Sequence, residues 1–71
     1  MKRYLVIIEQ TDTGYSAYSP DVAGCVTTGR TRAEVEANMR GAMEFHIEGL
    51  RLEGCSVPEP SSDFTFIDVA A

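Results

Sequence analysis

The sequence predicts an α+β domain of order β-β-β-α-β, and three observations predict it. A β-forming run near the start is followed by a turn signal and an alternating segment. A 3.6-residue periodicity then fills about 22 residues in the middle of the chain. A second alternating apolar segment comes last. The helix between the third and fourth strands is a long crossover, which favours a parallel return. The expected sheet is therefore four-stranded and mixed, in the order 3-2-1-4, with the one long helix packed on one face.

The first strand is read from "KRYLVIIEQ". Leu5, Val6, Ile7 and Ile8 are apolar at every position, as in a central strand covered on both faces. "TDTG", Thr11 to Gly14, supplies a hairpin turn. In the second strand Tyr15 and Ala17 share one face, and Ser16 and Tyr18 the other. Pro20 cannot donate to a ladder and ends that strand. Gly24 permits the positive φ of a corner, and "CVTT" makes a short third strand.

Thr31 and Glu34 form the two ends of a capping box that starts the helix. Gly54 suits the position just past its end. Val35, Met39, Ala42, Met43, His46 and Leu50 recur at spacings of three and four and define the buried face. Glu36, Arg40, Glu44, Glu48 and Arg51 lie opposite, as i,i+3 and i,i+4 pairs. Phe45 and Leu52 form a second, smaller apolar edge, either an oligomer contact or packing for the following connector. "VPEPSS" is that connector, held extended by its two prolines. In "DFTFIDV", Phe64 and Phe66 alternate with Thr65, Ile67 and Val69, as in a final strand.

With 71 residues the chain reads as a single domain, residues 1–71, small enough to gain stability by forming a homodimer or larger oligomer. A formal charge of −5 argues against direct nucleic-acid binding and favours a basic protein partner. The longest apolar run, Tyr4 to Ile8, is too short to span a membrane, and Glu9 and Gln10 end it too soon for a signal peptide. The expected location is the cytoplasm. There Cys25 and Cys55 are expected as free thiols, since neither has metal-ligand spacing.

The stretch "YSPDVAGCVTTGRT" raises the question of chemistry, because Asp21 and Cys25 lie four residues apart. A nucleophilic cysteine needs a base, and the one histidine, His46, falls on the apolar face of the helix. The segment reads instead as a corner, with Asp21 bonding loop N–H groups and Cys25 packed as a small hydrophobe. Its exposed tip, around Tyr18, Asp21 and Val22, is the expected partner contact. Catalytic residues, a metal site and a cofactor are not expected: the stripe around His46 lacks convergent carboxylates, and Asp68 alone makes a poor two-metal site.

From Tyr15 to Ser62 the chain resembles the HicB family, the antitoxins of HicAB toxin–antitoxin systems. The resemblance rests on an aromatic-x-A-x-x-P-D-hydrophobic-x-G-C motif, a G-x-T-x-x-E helix start, an A-M-E-x-H helix centre and a G-x-x-x-P-x-P-S exit. Ala23 departs from the family, where proline is common before the Gly-Cys pair. The resemblance implies a partial RNase H-like fold and a partner, a small basic HicA-like toxin that cleaves RNA. Most such proteins continue into a DNA-binding module; this sequence stops at Ala71, so no such module is expected. A stand-alone dimeric adaptor or small-ligand-binding domain is the alternative. A metal-dependent nuclease of RNase H type is a weaker one, because the first strand carries no acid before Glu9.

Overall fold

A computed structural model describes all 71 residues. Its regular elements are β1 (Ile7–Thr11), β2 (Gly14–Tyr18), β3 (Val26–Gly29) and α1 (Arg32–Leu52). The strands form an antiparallel meander in the order β1-β2-β3. Ile8 stands opposite Ala17, and Ala17 opposite Thr27, so these three share one face. Ile7, Tyr18 and Val26 form the adjacent row on the other.

The fourth strand is absent, and the sheet is antiparallel rather than mixed. Residues 55–71 form no regular element, and no backbone–backbone hydrogen bond joins residues 56–71 to the sheet. The 3-2-1-4 order is thereby corrected to three strands, with β1 at an edge instead of in the centre. A strand is defined by its ladder, and an alternating pattern without a neighbour to pair with leaves the segment irregular. β1 also begins later than its apolar run, at Ile7. Continuing the register places Leu5 opposite Pro20, which has no N–H to donate, and the chain turns away there.

The helix begins and ends as its sequence requires. Thr31 has extended backbone angles, and its hydroxyl accepts from the Glu34 N–H at 3.1 Å. The Glu34 carboxylate reaches one residue further back than a capping box, accepting from the Arg30 N–H at 3.3 Å. At the other end Gly54 takes φ +73°, and the Cys55 and Gly54 N–H groups donate to Leu50 and Arg51 carbonyls at 2.8 and 3.1 Å. That is a Schellman cap.

The helix lies over β3 and β2. Val35, Met39 and Met43 pack on Ala17, Val22 and Cys25, with Tyr4, Val6, Ile8, Tyr15 and Ala42 at the margin. Gly29 permits the approach: a Cβ there would stand 2.6 Å from the Val35 nitrogen and 2.8 Å from its Cα. Asn38 ties the helix to β3 by donating to the Thr28 carbonyl at 2.9 Å. Only seven of the 71 residues are fully buried, so much apolar surface stays wet in a single chain.

Gly29→Ala sets a side chain against helix backbone, so helix or strand must shift. The expected loss is about 1–3 kcal/mol of unfolding free energy, read from chemical denaturation. A variant as stable as the parent contradicts the close packing described for β3 and α1.

Candidate partner-binding surface

The corner between β2 and β3 is hydrogen-bonded both to the segment before β1 and to the connector after α1. The buried Ser19 hydroxyl donates to the Leu5 carbonyl at 2.7 Å, pinning the segment before β1. The Val22 N–H donates to Ser19 and the Cys25 N–H to Val22, at 3.3 and 3.4 Å, and Gly24 sits at φ +80°. These two turns point Val22 and Cys25 inward, where they are 1% and 5% exposed.

Asp21 points the other way, towards the connector. One carboxylate oxygen accepts the N–H groups of Ser61 and Ser62, both at 3.0 Å. The other accepts both serine hydroxyls, at 3.1 and 2.9 Å. The sequence predicts that Asp21 bonds its own loop; its partners instead lie 40 and 41 residues away. The connector is fastened twice more, by Tyr4, whose hydroxyl donates to the Pro58 carbonyl at 2.5 Å, and by a 2.7 Å Lys2–Glu59 ion pair.

The three residues expected at a partner contact thus have different surroundings. Val22 is in the core and offers no surface. Asp21 is a clasp for the connector. Tyr18 alone presents an apolar group, 39% exposed on the sheet face away from the helix, in a row between Ile7 and the more exposed Val26. Phe45 and Leu52 both project into solvent from the helix. Ile47, left out of the helical stripe, joins Met39 and Met43 in a groove between the helix and the segment Tyr4–Ile8. The three lie four residues apart; the stripe includes Met39 and Met43 but continues to His46 rather than Ile47, and both of these are half-buried.

The titratable groups describe a structural corner. Burial pushes the Cys25 thiol above its ordinary 9.0, which disfavours the thiolate a nucleophile needs. Asp21 is held below its ordinary 3.8, first by the Ser62 N–H and then by the Ser61 N–H; partial burial opposes this and the two hydroxyls add to it. No group of three or more His, Cys, Asp or Glu side chains converges on a point. No helix is long and apolar enough to cross a membrane.

A carboxyl whose folded pKa lies below its unfolded value stabilises the fold fully above that unfolded value, near 4, and stops doing so as pH falls through the folded one. The clasp is therefore expected to open on acidification below about pH 4. In Asp21→Asn, the Ser61 and Ser62 amides should already have connector-like shifts and fast exchange at neutral pH, with no further acid transition. Amide NMR against pH reads both; unchanged Ser61 and Ser62 resonances in the variant contradict the clasp.

Residues 4–68 match the model of a family described as the HicB-like antitoxin of bacterial toxin–antitoxin systems. An uncharacterised 14.9 kDa protein of Haemophilus phage HP1 is 38% identical over 56 residues, covering 79% of this chain and 42% of the phage protein. A UPF0150 protein of Thermoplasma acidophilum is 31% identical over 62 residues, covering 86% of this chain and 90% of the relative. Among solved structures, a HicA3 and HicB3 toxin–antitoxin complex contains a chain that superposes with a TM-score of 0.72 at 38% identity, over 84% of this chain and 70% of that one. The HicB3 antitoxin alone superposes with a TM-score of 0.71 at the same identity, over 44% of its own length. The chain thus spans less than half of the phage protein and of that antitoxin, and nearly all of the archaeal relative. With the family model matched over almost its full length, the chain belongs to the HicB-like antitoxins.

Proposed function

We propose that this chain acts as an antitoxin by binding a small, basic, HicA-like RNA-cleaving toxin and covering its active surface. The observation that carries the reading is the family membership together with the superposition on a chain of a HicA3–HicB3 complex. Two physical features support it. The net charge of −5 complements a basic partner. The sheet face away from the helix offers an apolar row, Ile7–Tyr18–Val26, with the acidic Asp21 corner nearby. Such a row of aromatic and aliphatic groups inside a polar border is the anatomy of a binding patch.

The chain's own role is stoichiometric. Tyr18 supplies the anchor, since it carries the largest apolar side chain of the row and is already partly desolvated. Acidic side chains steer the encounter and set its rate more than its final affinity.

Surface plasmon resonance with the HicA-like toxin of the same genome separates the two contributions. Raising salt from about 0.05 to 0.5 M shortens the Debye length from roughly 14 to 4 Å, and the on-rate should fall about ten-fold or more while the off-rate changes less. Tyr18→Ala should speed dissociation by about ten-fold or more with the salt response intact. Because Tyr18 lies on the open face, its removal should leave thermal stability nearly unchanged. A salt-independent on-rate, or full affinity in Tyr18→Ala, contradicts the proposed surface; absence of any complex contradicts the antitoxin reading.

A further inference from the structure

The sheet is also open on the side of β3, and the hydrogen-bonding groups of that edge can be assigned. β1 and β2 are joined by the two-residue turn Asp12–Thr13, so the flanking pair Thr11 and Gly14 exchange hydrogen bonds. Alternation then turns Ser16 and Tyr18 towards β1, and Tyr15 and Ala17 towards β3. Gly29 and Thr27, opposite Tyr15 and Ala17, are bonded inward. Val26 and Thr28, opposite Tyr18 and Ser16, aim their N–H and C=O groups away from the sheet. Thr28 bears this out, because its carbonyl accepts from outside the ladder, from the Asn38 side chain at 2.9 Å. None of the backbone hydrogen bonds outside the helix and strands involves Val26 or Thr28. The edge therefore offers the Val26 N–H, the Val26 carbonyl and the Thr28 N–H to a neighbour. At the Thr28 carbonyl, Asn38 already supplies the kind of group such an edge takes, an amide N–H.

Apolar side chains border this edge on both faces. Val26 is exposed on the face away from the helix, at the end of the row it forms with Ile7 and Tyr18. On the other face, Asn38 marks which flank of α1 looks over β3. Phe45 and Leu52 follow it seven and fourteen residues further on, with a drift of only about 20° per heptad. Phe45 is 84% exposed, so the fold of a single chain makes no use of its ring.

Charge is segregated across the sheet. Four of the six Lys and Arg side chains, Lys2, Arg32, Arg40 and Arg51, line the groove on the β1 side, together with only three of the eleven Asp and Glu. The remaining surface is left acidic. β3 runs through it from the Asp21 corner to Arg30, whose N–H donates to the Glu34 carboxylate. A basic strand is thus repelled at one edge of the sheet and drawn to the other. A second copy of this chain, acidic over the same surface, is not drawn there.

We propose that the basic partner docks by adding an extended segment to the β3 edge, as a strand that continues the sheet. The partner is the one proposed above, and the docking depends on it. The backbone of the segment takes the Val26 N–H and carbonyl and the Thr28 N–H. Its inward side chains reach Phe45 and its outward ones Val26, which carries the contact round from Tyr18 to the helix. Main-chain hydrogen bonds supply affinity, and the two apolar flanks within an acidic surround select an apolar segment bordered by Lys or Arg.

The test is amide hydrogen exchange of the ¹⁵N-labelled full-length chain, free and bound to the unlabelled HicA-like toxin of the same genome. Exchange at Val26 and Thr28 is expected to slow about a hundred-fold in the complex, while Thr27 and Gly29, already bonded to β2, change little. Val26→Pro removes the outward N–H at the first position of the strand, where proline fits, and should weaken the complex about ten-fold. Phe45→Lys should weaken it by about as much while keeping the amide dispersion of the body, since the core does not use Phe45. A complex in which Val26 and Thr28 exchange as in the free chain, or full affinity in Val26→Pro, overturns the edge docking and leaves the antitoxin reading standing. Protection of these two amides that grows with the concentration of the free chain assigns the edge to a second copy and overturns it as well. Absence of any complex overturns both.

Discussion

Everything else in this fold follows from where its single helix can sit. The helix meets β3 at Gly29, where backbone touches backbone and no side chain larger than hydrogen fits beside Val35. Thr31 and Glu34 cap the helix immediately after that strand, so its first turn is committed to the β3 side of the sheet. A cylinder about 10 Å wide covers roughly two strands spaced near 4.8 Å. The third, β1, is left with a half-covered inner face and a free edge. The groove beneath Met39, Met43 and Ile47 is the direct result.

The second constraint is the return path of the chain. Past its Schellman cap the connector runs back to the corner, where Asp21 receives four hydrogen bonds from two consecutive serines. Tyr4 and Lys2 hold the same connector against the start of the chain. A carboxylate that accepts several N–H groups fixes a backbone direction as well as a position. The aspartate that first suggested an acid beside a cysteine is therefore a joint that sets the heading of the tail. The cysteine beside it belongs to the core.

Local features of this fold could be read from the sequence because local forces produce them. The helix limits, Thr31 as its cap and Gly54 as its exit depend on residues within one turn, and the hairpin depends on the Thr11–Gly14 turn. The placement of Tyr18 on the face opposite Ala17 followed from alternation. Features set by distant pairing were not legible. The Asp21–Ser62 bond spans 41 residues, and nothing in "PDV" or "PSS" names the other. Val22 looked exposed beside Pro20, but two turn hydrogen bonds rotate it into the core. The last segment has the alternation of a strand yet lacks a ladder in its own chain, because periodicity states which faces are apolar and not which neighbour will cover them. The same reasoning misplaced β1, whose apolar run suits a central strand while its position in one chain is an edge.

On the function proposed above, the chain works by occupying surface, with its acidic charge drawing a basic partner in and its apolar row holding it. The most direct measurement is a titration of toxin-catalysed RNA cleavage with the purified chain. The account predicts that cleavage of a labelled RNA falls linearly with added chain and reaches zero at a fixed stoichiometric equivalence. Cleavage that continues undiminished with the chain in large excess would contradict it.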